Sequence, residues 1–365
     1  MKLGPSGILG GMSRGWLGGA IALPAFVVAT ALWLAPEATG GSAGCFGVAT
    51  TIVGDNGGDD TVVGTDGNDV INTYGGDDVV DGAGGRDLIC TGEGSDALIG
   101  GEGNDRLRGG PGGDEIIGDV RDSAATGTGD DFMRGGKGND LLVGDSASEV
   151  SDATGSGRDD AHGGGGSDLV VGDAMSRLNA TGTGGDEVHG GGDKDELVGD
   201  ARAGLTATGA AHDYMRGEFG GDLMVGDGYA TASGAALGAA PDTVIGDDDN
   251  DKVIGDNLSA DGDTDGVAND ELGGGKQNDL MVGDSWAGGT ALGGGGRDRL
   301  QGGHDGDKMW GDHKGGGEGG GPDDLQGGSG PDRFEAGPKP DQCNGGGGRD
   351  KDKSRPHCER TTSIP

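Results

Sequence analysis

From Asp55 onward the chain places one large aliphatic residue in every nine. Val62, Ile71, Val80, Ile89, Leu98, Leu107 and Ile116 are separated by glycine, aspartate and other small or polar residues. Each forms the centre of an x-U-x triplet, with U a large aliphatic residue. Such a triplet is a minimal strand whose middle side chain points inward and whose neighbours point outward. One nine-residue unit buries a single side chain and cannot fold alone, so the pattern predicts stacked coils.

The polar positions keep the same period. Aspartate stands two residues before each aliphatic position, at Asp60, Asp69, Asp78, Asp87, Asp96, Asp105 and Asp114, and glycine stands two residues before each aspartate. The copy Gly100–Arg108 reads GGEGNDRLR, the nonapeptide G-G-x-G-x-D-x-U-x. Glycine permits the tight turn and close backbone approach. Aspartate supplies a hard anionic oxygen and the turn carbonyls supply neutral ones, a donor set that favours Ca²⁺ over softer metals.

These repeats resemble the RTX, or haemolysin-type, calcium-binding family, over most of residues 55–353. The resemblance implies an all-β fold, a parallel β-roll or β-solenoid in which two nonads complete one coil. It also implies Ca²⁺ ions between turns stacked on the same edge. The candidate metal ligands are Asp60, Asp69, Asp78, Asp87, Asp96, Asp105 and Asp114, then Asp131, Asp140, Asp168, Asp186, Asp195, Asp222, Asp251, Asp279, Asp298, Asp307 and Asp332. Asp193 and Asp305 replace turn glycines, which marks the turns near 190 and 302 as imperfect sites.

From Gly118 the rhythm changes. Whole nonads persist, as in GGKGNDLLV at 135–143 and GGGGSDLVV at 163–171, but longer units opening with Gly-Asp lie between them. Gly-Asp recurs at 118, 144, 172, 199, 226, 255, 283 and 311, spaced 26–29 residues. A strand in register cannot absorb that variation, whereas a loop can. Each long unit therefore reads as a nonad with a surface-loop insertion, rich in Ala, Ser, Thr and Gly, and the insertions align along one edge of the C-terminal two-thirds. Asp145, Asp173, Asp200, Asp227, Asp256, Asp284 and Asp312 would add carboxylates to that edge. Strand centres here include Leu142, Val170, Val188, Leu197, Met215, Met224, Val253 and Met281, and the methionines read as core filling. The insert Asp261–Gly266 begins like an EF-hand loop, but its twelfth position is Leu272, with Glu271 one place early. It reads equally as a solvated acidic loop or an added weak calcium site.

The domains expected are a signal peptide at 1–43, an N-terminal cap at 44–54, regular repeats at 55–117, repeats with insertions at 118–335, and degenerate repeats with a C-terminal cap at 336–365. In the first of these, Lys2 and Arg14 precede an apolar run, Trp16–Pro36, and Gly41-Ser42-Ala43 forms a small-x-small cleavage site. An uncleaved membrane anchor and a lipoprotein cysteine at Cys45 are the alternatives. Removal of the signal would leave no membrane-inserting segment. The four cysteines, 45, 90, 343 and 358, fit disulfides in an exported protein. Of three pairings, the local one, Cys45–Cys90 with Cys343–Cys358, would staple the ends of the solenoid.

Composition alters this picture in two ways. With 92 glycines, 31% hydrophobic and 3% aromatic residues, the chain by composition alone would be a disordered polymer. The strict phase argues against that, because disorder needs no register. A net charge of −38 disfavours nucleic acid and calls for cations. At about 1 mM Ca²⁺, sites with Kd of about 10⁻⁴–10⁻³ M contribute roughly 0.4–1.4 kcal/mol each, so a dozen coupled sites rival the stability of a domain.

None of the six histidines begins H-E-x-x-H, and the Gly-Lys pairs are never followed by Ser or Thr. No enzyme activity and no catalytic or organic-cofactor site is therefore expected. The expected function is a secreted, extracellular calcium-binding β-roll whose folding is coupled to Ca²⁺ binding. The alternative is an adhesive or structural rod associated with the cell surface, using its insert edge to bind a cell-surface or extracellular polymer.

Overall fold

The computed structural model describes residues 44–55, 57–122, 126–315, 320–346, 353–354 and 358–362. The expected signal segment, 1–43, lies outside them.

An x-U-x triplet has no hydrogen-bonding partner within its own nonad, so its backbone groups must pair with another coil. Leu88–Cys90 lies parallel to Val70–Asn72, with Ile71 opposite Ile89. The intervening nonad strand, Val79–Asp81, belongs to a second sheet and pairs with Ala97–Ile99. Two nonads therefore make one coil. Among the described residues, stacking builds a fourteen-stranded and a thirteen-stranded sheet, both parallel throughout, with no helix. The chain is an all-β parallel solenoid, as the period predicts.

The core is one side chain deep at each strand. Ile71, Val80, Ile89, Leu98, Leu107 and Ile116 are fully buried, and the column continues through Met133, Leu142 and Met215 to Phe334 and Cys343. The methionines at strand centres fill this core. Val62, in an end coil, packs against it only partly buried.

Between Gly118 and Leu292 the coils keep their two long-sheet strands and all but the first add two more. Ser146–Ser148, Ala174–Ser176 and Ala201–Ala203 stack in a seven-stranded sheet, and Ala153–Thr154, Ala180–Thr181 and Ala207–Thr208 in a six-stranded one. The insertions do align on one side of the coil, but they are not simple surface loops. Their Ala and Thr residues pair in register, Ala153 with Ala180 and Ala180 with Ala207. The alanines close a narrow second core of Ala153, Ala174, Ala180, Ala201, Ala203, Ala207, Ala230 and Ala236. Length variation is absorbed in turns between the short strands, such as 149–152, 177–179 and 231–235.

The insertions also cover the outward side of the thirteen-stranded sheet. Ile117, Val143, Val171, Val198, Val225, Ile254 and Val282, each directly before a Gly-Asp, are 0% exposed. In the uncovered regular section Val63, at the matching place, is 60% exposed. Burial of the residue ahead of these seven Gly-Asp pairs marks the packed insertions.

Both disulfides take the local pairing, Cys45–Cys90 and Cys343–Cys358. Cys343 and Cys358 close the C-terminal end of the core. Cys90 instead follows the inward Ile89 in its strand, so Cys45 is tied to the outside of the sheet. There the Phe46 ring meets the guanidinium groups of Arg106 and Arg108 at 4.5 and 4.8 Å and the edge of Phe132 at 6.2 Å.

Candidate metal centres

Stacking coils on a common period superimposes their aspartates, and each carboxylate then reaches back one coil. Asp105 Oδ1 accepts the N–H of Asp87 at 2.7 Å, and Asp131 Oδ1 accepts that of Asp105 at 2.7 Å. The series continues through Asp159, Asp186, Asp213, Asp242, Asp270, Asp298 and Asp323 to Asp341. A second ladder runs on the other edge from Asp60 through Asp78, Asp96, Asp114, Asp140, Asp168, Asp195, Asp222, Asp251, Asp279 and Asp307 to Asp332. Every candidate ligand from the sequence falls on one of these ladders.

The second oxygen has a different environment. Oδ2 of Asp87, Asp105, Asp140, Asp168, Asp222 and Asp279 is buried without a hydrogen-bond donor. Beside it lies a space that only glycine leaves open. A Cβ on Gly135 would fall 2.3 Å from Asp140 Oδ2 and 2.6 Å from the Gly163 carbonyl oxygen. On Gly100 it would fall 2.5 Å from Asp105 Oδ2 and 2.4 Å from the Gly118 carbonyl oxygen. A buried anionic oxygen facing neutral carbonyls, with no donor, is the arrangement that a hard cation satisfies. The donor set fits Ca²⁺.

Electrostatics agrees. Loss of solvent, with neighbouring carboxylates adding to it, lifts Asp105 to about 7 and Asp195 to about 9. Asp159, Asp186 and Asp213 are pushed up well beyond the ordinary carboxylate range for the same reasons. Without a counter-charge these groups resist ionisation.

The N-terminal ends of the ladders differ. Asp60 Oδ2 accepts the Asp55 N–H at 2.8 Å, and Asp69 Oδ2 accepts the N–H and hydroxyl of Thr65 at 2.7 and 2.9 Å. Asp193 and Asp305 keep the left-handed turn conformation, with φ of 73° and 69°, which aspartate tolerates better than most residues. The neighbouring space survives there, since a Cβ on Gly190 would lie 2.4 Å from Asp195 Oδ2.

Sequence reasoning missed Asp159, Asp213, Asp242, Asp270, Asp323 and Asp341. Their nonads are split or degenerate. Gly144 stands to Asp159 as Gly135 stands to Asp140, with a Cβ position 2.1 Å from Asp159 Oδ2, but the insertion separates the two in sequence. The surviving signal is D-x-U, with Ala161, Met215, Val244, Leu272, Leu325 and Cys343 as U.

The Gly-Asp carboxylates do not decorate an outer edge. Asp145, Asp173, Asp200, Asp227, Asp256 and Asp284 are 0% exposed and Asp312 only 5%. For most of them the returning turn donates to the inward carboxylate, as with Gly157 N–H to Asp145 and Gly184 N–H to Asp173. In the EF-hand-like stretch Asp261 and Asp263 are exposed, and Thr264–Asp265 pairs as a strand with Ala236–Leu237. Glu271 lies in the following strand, Glu271–Gly275.

Coils held by parallel strands, with stacked glycine–aspartate turns on both edges, define a calcium-binding β-roll. The family model for the RTX calcium-binding nonapeptide repeat (4 copies) matches residues 55–89, 91–120, 117–148, 153–174, 237–257 and 319–351. Over these residues the chain carries RTX calcium-binding nonapeptide repeats. It matches no curated protein.

Proposed function

We propose that the chain is secreted and that its folding is coupled to Ca²⁺ binding in the Gly/Asp turns. The observation that carries this reading is the repeated orphan oxygen, Asp Oδ2 buried beside a glycine space and a carbonyl of the next coil. Bound Ca²⁺ would supply the positive charge that lets stacked carboxylates ionise while buried. Asp78 through Asp332 of the sequence-derived set would hold the ions, joined by Asp159, Asp213, Asp242, Asp270, Asp323 and Asp341. Asp60 and Asp69 would be the weakest members, because backbone and hydroxyl donors already occupy their second oxygens.

Two disulfides support an oxidising, extracellular location, with residues 1–43 acting as the export signal. The role is binding and structural rather than catalytic. Expression in a secreting host tests both parts. The expected result is a mature chain in the medium, beginning near Gly44, that resists protease in millimolar Ca²⁺ and is degraded in chelator. Retention of residues 1–43 in the cell membrane would contradict secretion, and equal protease resistance in chelator would contradict the coupling.

A further inference from the structure

The inward Gly-Asp carboxylates remain once the nonad turns have been assigned. Oxygens of Asp145, Asp159 and Asp173 all lie within 4.8 Å of one another, and the three residues are 0%, 2% and 0% exposed. The returning turn fixes one oxygen of both Asp145 and Asp173, with Gly157 N–H on Asp145 Oδ2 at 2.9 Å and Gly184 N–H on Asp173 Oδ2 at 2.8 Å. Asp145 Oδ1 and Asp173 Oδ1 have no donor. Buried oxygens of like charge thus face one another without a compensating group.

Their convergence on a glycine recurs from coil to coil. A Cβ on Gly157 would lie 1.9 Å from the Gly129 carbonyl oxygen, 3.0 Å from Asp145 Oδ1 and 3.1 Å from Asp159 Oδ1. One coil earlier, a Cβ on Gly129 would lie 2.2 Å from the Gly103 carbonyl oxygen and 3.0 Å from both Asp119 Oδ1 and Asp131 Oδ1. Each point is ringed by two carboxylates and a carbonyl. It is separate from the nonad space, which lies at Gly144 and faces the other oxygen of Asp159, Oδ2.

We propose that the insertion-bearing coils carry a second row of Ca²⁺ sites, each formed by a Gly-Asp carboxylate, the nonad aspartate that follows it and a glycine carbonyl of the preceding coil. Asp119 pairs with Asp131, and Asp145 with Asp159. The proposal rests on the reading of the nonad turns as calcium sites and extends it. An insertion then serves a chemical purpose: it brings a second carboxylate into the coil where a regular nonad has glycine. Wide coils would bind more ions than narrow ones.

Native mass spectrometry of the oxidised protein, at the lowest Ca²⁺ that saturates the wild type, counts the ions. The test variant is D145N/D173N, because asparagine retains an oxygen for the turn N–H and removes the charge. The expected result is a loss of two ions with an unchanged Ca²⁺-induced β spectrum. An unchanged ion count would overturn the second row while leaving the nonad sites intact. A wild type that binds no Ca²⁺ would overturn both readings. If D145N/D173N does not fold, D173N alone decides: one ion lost supports the row, and none lost overturns it.

Discussion

Asp131 accepts the amide of Asp105 at 2.7 Å across 26 residues of chain, and Asp105 accepts that of Asp87 at 2.7 Å across 18. The same contact therefore joins a narrow coil to a narrow coil and a narrow coil to a wide one. An insertion changes the length of the path and leaves the ladder in register. Asp105 uses one oxygen to align the coils, and its other, Oδ2, is buried without a donor and is the one proposed to face a cation.

In the absence of metal, acid should stabilise the roll. Burial raises Asp105 to about 7 and Asp131 and Asp195 to about 9, against an ordinary value near 3.8. The folded state then binds more protons than the unfolded chain between these values, so stability falls as pH rises from about 4 toward 9. In metal-free buffer, far-UV circular dichroism should show more β-structure at pH 4.5 than at pH 7.5. In millimolar Ca²⁺ the added stability should grow over the same range as ions displace protons. Metal-free β-structure that increases with pH would contradict this assignment of the buried carboxylates.

Filling one glycine space should remove one ion. Gly135→Ala places a methyl 2.3 Å from Asp140 Oδ2, whereas the Cβ of Gly165→Ala meets nothing nearer than 4.0 Å. Calorimetric titration should show a reduced Ca²⁺ stoichiometry for Gly135→Ala and a wild-type value for Gly165→Ala. Equal stoichiometry in both variants would place the ions elsewhere.

The alanine core of the insertions should reject bulk. Ala207 is 0% exposed, so Ala207→Leu should cost about 1–3 kcal/mol in denaturant titrations with Ca²⁺ present. Leu205 is 46% exposed, and Leu205→Ala should change stability by less than about 0.5 kcal/mol. Similar costs at both positions would mean that the insertions are solvated loops after all.

That core also shows where sequence reading stopped. The regular section was legible because each nonad carries the whole motif from glycine turn to strand. Ala153, Ala180 and Ala207 form an equally strict column in space, but turns of unequal length obscure its period. Alanine is also a weak strand signal, and these strands form because stacked neighbours supply hydrogen bonds in register. Asp159 was hidden twice, by a small residue, Ala161, at its strand centre and by the insertion separating it from Gly144. The inward turn of Asp145 depends on the Gly157 N–H twelve residues later, a contact that no local pattern encodes.

Reduction should shift the calcium requirement. The Cys45–Cys90 and Cys343–Cys358 bridges span 45 and 15 residues, loops for which chain entropy contributes about 4 and about 3 kcal/mol respectively. With reductant present, the Ca²⁺ midpoint for folding should move to a higher concentration. A midpoint unaffected by reduction would mean that the bridges add nothing to the stacked coils.

The central claim, that buried aspartate turns couple folding to calcium, is tested most directly by far-UV circular dichroism of the oxidised chain. The protein is stripped with chelator and titrated with Ca²⁺ from micromolar to millimolar, in parallel with Mg²⁺. A cooperative transition from coil to β-structure is expected with Ca²⁺ and none with Mg²⁺ at the same concentrations. A β-spectrum already complete in chelator and unchanged by Ca²⁺ would contradict it.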